Sequence, residues 1–243
     1  MFAAVPVANI GDVGLYYELH GAGEPVVLIC GVGIDISELG AIVERLARGS
    51  LVLAFDNRGS GRSSMPDAPY SIELMAADAV GVMDAAGIGA ATLIGISMGG
   101  SIALALTLAH PERVRGLVLV SASARKPRRL TMSWPMRIAW LLRRLPAFRG
   151  RYPQPDYAHA RQRAASRAYD CTGRLGEIHV PTLILHGRRD RTVRRPLVEE
   201  LHDGIAGSKL VRFDGGHMFF LFRQRGAFLD QVEAFVRARP ADR

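Results

Sequence analysis

The stretch Gly95-Ile96-Ser97-Met98-Gly99-Gly100 decides the fold, because it joins two segments of different pattern. It ends the apolar run 91–96, which is typical of a buried strand, and leads into the Ala- and Leu-rich run 101–109, which is typical of a helix. A Gly-x-Ser-x-Gly sequence between a strand and a helix predicts a nucleophile elbow, in which the serine sits on a tight turn and the glycines let neighbouring backbones pass close. Ser97 is therefore the candidate nucleophile, and a structural turn serine is the alternative.

An aspartate and a histidine later in the chain could activate this serine. A serine hydroxyl is a weak nucleophile at neutral pH, so it needs a base and a group that orients the base. The apolar run 180–186 reads as a strand and is soon followed by Asp190, which places a carboxylate at the sheet edge where open α/β sheets bind ligands. The short strand 209–213 precedes His217, and two glycines before this histidine leave its backbone free to turn. We expect Asp190 to be the acid and His217 the base.

Other residues compete for these two roles. His186 ends an apolar strand and is more typical of a packed histidine whose ring nitrogen is satisfied. Asp56, after the fourth predicted strand, is an alternative acid, and Asp203 and Asp214 are further carboxylates nearby in sequence.

The chain order Ser97, Asp190, His217 is the one expected of α/β-hydrolases, and it differs from the orders on chymotrypsin-like and subtilisin-like folds. The chain resembles this family, in particular its enol-lactonase, carboxylesterase and dehalogenase-like members. Residues 56–63 resemble the family's D-x-R-G-x-G-x-S loop after the fourth strand, and residues 110–114 resemble its link into the sixth strand. The resemblance covers about 1–121 and 176–243.

The resemblance also bears on the acid and on the oxyanion hole. The family sometimes carries its acid after the sixth strand, but residues 121–124 contain no carboxylate, which favours Asp190. It implies that the backbone amides of Val32 and Met98 form the oxyanion hole. The family commonly has His-Gly where this chain has Cys30-Gly31, so the histidine that usually braces the loop is missing. Cys30 ends a strand without an evident base, and we interpret it as a small buried residue rather than a nucleophile.

The pattern of the whole chain predicts an α/β fold: a mostly parallel eight-stranded sheet with helices on both faces, as in the α/β-hydrolases, with a helical cap insertion. Strands are predicted near 5–10, 15–19, 26–30, 51–55, 91–97, 114–121, 180–186 and 209–213. Helices are predicted near 37–48, 71–86, 98–109, 194–206 and 218–238. The turn-rich segment 20–25 favours an antiparallel start before the parallel sheet.

Residues 122–175 differ in composition from the rest of the chain, and we call them the cap. Their twelve arginines and Lys126 are balanced only by Asp156 and Asp170, so the cap is strongly basic although the whole chain has a net charge of +8. Apolar residues recur at helical spacing over 134–145, which predicts a helix that covers the active site, and five prolines suit a movable lid. The predicted division is therefore a core of 1–121 and 176–243 and a cap of 122–175.

Three interpretations of the cap arginines remain open. They form a solvated face, they recognise an anionic substrate or an acidic carrier protein, or they attach the protein to anionic lipid. Nucleic-acid binding is not favoured, because no recognition motif accompanies the charge.

Composition and motifs restrict the other classes of function. A chain of 243 residues with 49% hydrophobic content can bury one substantial core. The N-terminus lacks a signal-peptide pattern and no apolar run reaches the length of a membrane span, so we expect a cytoplasmic protein. The chain has neither a complete G-x-G-x-x-G nor a G-K-[ST] motif, and no metal-ligand spacing, so we expect no cofactor and no metal. Its two cysteines are expected to be free thiols.

These observations together predict a serine hydrolase that cleaves a carboxylic ester, lactone or related small-molecule acyl substrate through an acyl-enzyme intermediate. One alternative is a thioesterase or acyltransferase that acts on a carrier-bound acyl chain, with the basic cap as the docking face. The other is a ligand receptor of the same fold with little turnover.

Overall fold

The computed structural model describes residues 6–126, 138, 141 and 151–238. Eight strands form one sheet in the order β1-β2-β4-β3-β5-β6-β7-β8. Their bounds are β1 Val7–Ile10, β2 Val13–His20, β3 Glu24–Ile29, β4 Ser50–Phe55, β5 Ala91–Ile96, β6 Val114–Val120, β7 Thr182–Gly187 and β8 Lys209–Phe213. Strand β2 pairs antiparallel with β1 and β4, and the other neighbours are parallel. The predicted mostly parallel eight-stranded sheet is confirmed.

The start of the sheet has an order that the turn at 20–25 does not reveal. The antiparallel start is present, but β2 lies beside β4, while β3 lies between β4 and β5. Residues 26–29 of β3 and 52–55 of β4 are all completely buried, and both strands lie inside the sheet. A strand that is apolar on both faces belongs in the interior of a parallel sheet, where helices cover it on either side.

The described residues contain six α-helices. Their bounds are α1 Gly40–Leu46, α2 Ile72–Ala85, α3 Met98–Ala109, α4 Asp156–Ala168, α5 Arg195–Gly204 and α6 Arg225–Arg237. Successive residues of a strand point to opposite faces, and accordingly Val27 packs in the apolar cluster that contains α2 and α3, while Leu28 packs in the cluster that contains α1 and α6. The prediction of helices on both faces is confirmed.

The predicted helix over 218–238 is wrong in its first third. A 3₁₀ turn at Phe219–Leu221 comes first, and α6 begins only at Arg225. The aromatic rings explain the break. Phe219 stacks on Phe213 with ring centroids 4.7 Å apart and meets Phe228 edge-on at 6.0 Å, so the chain must turn between them to bury all three rings.

The cap contains one described helix that the sequence analysis does not predict. Helix α4 is rich in alanine and arginine, and its apolar residues form no clear stripe, although Ala158 and Ala165 are buried. The predicted helix over 134–145 lies outside the described residues, except for Ile138 and Leu141. In the described part of the chain, no helix is long and apolar enough to cross a membrane.

Candidate active site

Ser97 lies at the junction of β5 and α3 in an unusual backbone conformation. Its φ is 54° and its ψ is −106°, values that non-glycine residues rarely adopt. Its amide donates to the carbonyl oxygen of Val120 in β6 at 2.9 Å, which ties the turn to the sheet. A Cβ atom at Gly95 would overlap the backbone of Gly99, and one at Gly99 would overlap the carbonyl of Ile29. The two glycines therefore permit this turn.

His217 and Asp190 meet Ser97 at the carboxyl edge of the sheet. Nε2 of His217 lies 3.1 Å from Oγ of Ser97, and Nδ1 of the same ring lies 2.8 Å from Oδ2 of Asp190. His217 is 9% exposed and Asp190 is 7% exposed. The structure thus brings together the three side chains that the sequence analysis selected, in a continuous chain of hydrogen bonds.

Backbone contacts orient both partners of Ser97. Oδ1 of Asp190 accepts from the amides of Thr192 and Val193 at 2.7 and 3.0 Å, so Oδ2 is left for the imidazole. Oγ of Ser121, just after β6, donates to the carbonyl oxygen of His217 at 2.8 Å. The loops after β6, β7 and β8 are therefore joined at the site.

The competing residues occupy other positions. Asp56 is fully buried, and its carboxylate accepts from the amides of Ile36 and Arg62 at 2.8 and 2.9 Å, which organises two loops. Nε2 of His186 donates to the carbonyl oxygen of Val193 at 2.9 Å, as expected of a packed histidine. Asp203 is exposed, and Asp214 forms an exposed ion pair with Arg189.

Two backbone amides close to Ser97 have no protein acceptor in the described part of the chain, those of Val32 and Met98. Met98 is the first residue of α3, so its N–H lies beyond the hydrogen bonds of the helix. The loop of Val32 packs against Ser97, since a Cβ atom at Gly31 would lie 3.4 Å from the Cβ of Ser97. Neither amide is thus used by another described residue, as the expected oxyanion hole requires.

The loop that carries Val32 is held by side chains other than histidine. Nδ2 of Asn57 donates to the carbonyl oxygen of Cys30 at 2.9 Å, and Oε1 of Gln162 accepts from the amide of Gly33 at 2.9 Å. Burial raises the pKa of the Cys30 thiol well above its usual range, so this side chain is a neutral thiol, in agreement with its interpretation as a small buried residue. Gln162 lies 129 positions from Gly33, and no local pattern could have identified it.

Lys126 is another residue that the sequence analysis did not single out for the site. The residue is half-buried, but its Nζ atom is shielded from solvent and has no hydrogen-bond partner among the described residues. Burial lowers the pKa of Lys126 to about 8, and the negative charge of Asp190 opposes this shift. A largely uncompensated ammonium group therefore lies within electrostatic range of the candidate acid.

Three described cap arginines form ion pairs at the surface. Arg125 pairs with Glu200, Arg161 with Asp67, and Arg174 with Glu177, and the arginine side chains are 41%, 40% and 55% exposed. This favours the solvated interpretation for these three. Six others lie outside the described residues, namely Arg128, Arg129, Arg137, Arg143, Arg144 and Arg149.

Neither a metal cluster nor a disulfide is present in the part of the chain that the structure describes. No group of three or more His, Cys, Asp or Glu residues there could hold a metal ion. Cys30 and Cys171 are both buried and unpaired.

Comparisons with known proteins place this chain among the α/β-hydrolases. A family model described as alpha/beta hydrolase fold matches residues 19–175. A protein of Azorhizobium caulinodans named as a carbamate hydrolase, RutD, is 34% identical over 244 residues, which cover 88% of this chain and 92% of that protein. A 2-hydroxymuconate semialdehyde hydrolase of Pseudomonas sp. is 42% identical over 116 residues, which cover 45% of this chain and 41% of that protein.

Two solved structures resemble the whole chain. A hydrolase from Pseudomonas aeruginosa superposes with a TM-score of 0.85 at 26% identity, covering 98% of this chain and 100% of that one. The enol-lactonase from Burkholderia xenovorans superposes with a TM-score of 0.81 at 27% identity, covering 96% of this chain and 100% of that one.

Proposed function

Because this chain belongs to the α/β-hydrolase family, we propose that it is a serine hydrolase that cleaves a carboxylic ester, a lactone or a related acyl bond. The observation that carries the proposal is the hydrogen-bonded series from Oγ of Ser97 through the His217 ring to Asp190. The same three residue types in this geometry activate serine on several unrelated folds.

Each residue has a defined part in the proposed reaction. Oγ of Ser97 attacks the carbonyl carbon while its proton passes to Nε2 of His217. The carbonyl oxygen becomes an oxyanion that accepts hydrogen bonds from the amides of Val32 and Met98. His217 then gives the proton to the leaving alkoxide, and the acyl group stays on Ser97. Asp190 accepts the hydrogen of Nδ1 throughout, which holds the ring in the productive tautomer and stabilises the imidazolium.

Water completes the cycle by the same route. His217 takes a proton from a water molecule as the water oxygen attacks the acyl carbon, and a second oxyanion forms in the same place. The bond to Ser97 then breaks, Oγ recovers the proton from His217, and the carboxylic acid leaves. A lactone would follow these steps with its leaving alcohol tethered to the acyl group.

A carbamate is the second candidate substrate class. The likeness to the relative named as a carbamate hydrolase extends over most of both chains, which favours it. A carbamate also presents an acyl carbon to Ser97, so the same residues would act, with a carbamoyl group in place of the acyl group on the serine.

A substrate panel with a nucleophile control tests the proposal. The purified protein and Ser97→Ala are assayed with p-nitrophenyl esters, lactones, acyl thioesters and carbamates, and labelled with a fluorophosphonate probe. We expect turnover and labelling in the parent protein and neither in Ser97→Ala.

The panel also separates the alternatives. A strong preference for carrier-linked thioesters would support the thioesterase or acyltransferase interpretation, and the distribution of product between free acid and a second acceptor would distinguish the two. Saturable ligand binding with almost no turnover would indicate a receptor. Labelling of Cys30, or equal labelling of Ser97→Ala, would show that the nucleophile is not Ser97.

A further inference from the structure

We propose that Gln162 of cap helix α4 is a positioning residue that holds the loop of Val32 in the conformation able to bind the oxyanion. The proposal rests on the function proposed above for Ser97 and Val32. It makes one described part of the cap a support of the reaction centre, in addition to the covering role predicted for the cap from sequence.

The side-chain amide of Gln162 is fully buried and makes four hydrogen bonds. Oε1 accepts from the amide of Gly33 at 2.9 Å and from Nε2 of Gln154 at 3.0 Å. Nε2 donates to the carbonyl oxygen of Arg58 and to Oγ of Ser60, both at 2.8 Å. A primary amide has two donor hydrogens and two acceptor lone pairs, so its full capacity is used. This leaves the group little freedom to move.

The bond to Gly33 acts on the peptide next to the proposed oxyanion donor. Gly33 has a φ of 67°, and a glycine can leave such a conformation easily when nothing holds it. The bond across the loop itself, from the amide of Ile34 to the carbonyl oxygen of Gly31, is long at 3.4 Å. The bond from the Gly33 amide to Gln162, at 2.9 Å, is shorter than this bond within the loop.

Two side chains hold the loop, one on each side of Val32 in the sequence. Asn57 holds the carbonyl oxygen of Cys30, before Val32, and Gln162 holds the amide of Gly33, after Val32. Cys30 stands where the resemblance places a bracing histidine, and a neutral thiol is a weak donor. Gln162 thus performs the bracing from the cap, and the Val32 amide is fixed between two anchored neighbours.

The test compares Gln162→Leu and Gln162→Glu with Ser166→Ala, a matched control one helical turn further along α4. Ser166 is buried like Gln162, so its change also removes a buried polar group from the helix. The measurements are kcat and KM for the best p-nitrophenyl ester, and the inhibition constant of a trifluoromethyl ketone with the same acyl chain, which forms a tetrahedral oxyanion adduct on the serine. All are made at a temperature at which each variant is folded.

We expect Gln162→Leu to lower kcat by about 10²-fold with little change in KM, because a displaced donor weakens the transition state more than the bound substrate. The inhibition constant should rise by the same factor that kcat/KM falls. Ser166→Ala should leave all three quantities unchanged. In Gln162→Glu, only the protonated acid can donate to the carbonyl oxygen of Arg58, so its activity relative to the parent should rise as the pH falls.

Hydrogen exchange of the Gly33 amide gives a readout that does not depend on turnover. Faster exchange at Gly33 in folded Gln162→Leu, which has no acceptor for this amide, without a general increase, supports the brace. This holds even if the parent protein hydrolyses none of the esters, in which case the proposed function fails and the brace does not. Unchanged Gly33 exchange overturns the proposal. An unchanged kcat in folded Gln162→Leu, or an equal loss of kcat in Ser166→Ala, overturns the proposal as well. If the leucine variant does not fold, Gln162→Glu is used instead, and a relative activity that does not rise as the pH falls overturns the proposal.

Discussion

His186 and His217 both face one oxygen of Asp190, but only His217 lies within hydrogen-bond distance of it. Nδ1 of His217 is 2.8 Å from Oδ2, whereas Nε2 of His186 is 3.9 Å away. Nε2 of His186 instead contacts the carbonyl oxygen of Val193, which can only accept, so this ring must carry a hydrogen on Nε2. The carboxylate therefore remains available to the ring that contacts Ser97.

The first prediction compares the two histidines. His217→Ala should lower kcat by about 10⁴- to 10⁶-fold, because nothing remains to accept the Ser97 proton. His186→Gln keeps a donor for the Val193 carbonyl and should leave kcat within about one order of magnitude. Steady-state kinetics with one neutral ester measures both. Comparable losses in the two variants would mean that His186 takes a direct part in the reaction.

The second prediction compares the two buried aspartates. Asp190→Asn should lower kcat by about 10⁴-fold, as the corresponding change does in serine proteases, because the wrong imidazole tautomer is favoured. Asp56→Asn should act mainly on stability, because it weakens the bonds to Ile36 and Arg62. Kinetics and urea unfolding of both variants separate these effects. Retained activity in Asp190→Asn with a loss in Asp56→Asn would transfer the acid role to Asp56.

The third prediction concerns the pH dependence of stability. Lys126 has a pKa of about 8 in the folded protein and an ordinary pKa of 10.5, so between these values the unfolded chain binds more protons at this group. The free energy of unfolding contributed by Lys126 should therefore rise with pH across this window, by about 1.4 kcal/mol per unit of pKa difference. Lys126→Met removes this contribution.

Urea unfolding of the parent protein and of Lys126→Met from pH 7 to 10.5 measures the contribution of Lys126 to the free energy of unfolding. The methionine variant should be the more stable at pH 7, since it removes a buried charge without a partner, and its advantage should shrink as the pH rises. Two stability curves that run parallel across the window would show that Lys126 is solvated in the folded protein.

The fourth prediction addresses the cap arginines that the structure does not describe. Replacing Arg143 and Arg144 together by Gln should change turnover of a small neutral ester little. If the cap recruits anions, KM for an acidic or carrier-linked substrate should rise, and the parent's preference for that substrate should weaken with salt. An equal response of neutral and acidic substrates across a salt series would contradict recruitment of anionic substrates by these arginines.

Local patterns in the sequence predict the strands and the three residues that meet at the carboxyl edge of the sheet. Ser97 follows β5 directly, and Asp190 and His217 lie within four residues of the ends of β7 and β8. Parallel strands present their carboxyl ends at one edge of a sheet, so short-range patterns were enough to predict that these three residues meet there. The order of β3 and β4 was not predictable from the turn at 20–25, because both strands are apolar and completely buried and the turn does not show which of them pairs with β2.

The cap and the oxyanion loop show the limit of such patterns. Helix α4 lacks a clear apolar stripe, and its main polar contact with the core, from Gln162 to Gly33, joins residues 129 positions apart. The missing histidine at Cys30 indicated that something else must hold the loop, but not which residue does. The roles of these residues in the reaction, and the division into core and cap, remain predictions.

The order of the strands has a consequence for how the protein becomes active during its synthesis. Ser97 and its strained turn depend on β5, α3 and β6, all of which leave the ribosome before residues 180–213 exist. Strands β7 and β8, which carry Asp190 and His217 in their following loops, are the last two to be added at one edge of the sheet. A nascent or truncated chain that ends before β8 thus holds Ser97 without His217, the proposed base. Under the function proposed above, we therefore expect hydrolytic activity only after the final edge strand has docked, and none from a copy of the protein that ends before it.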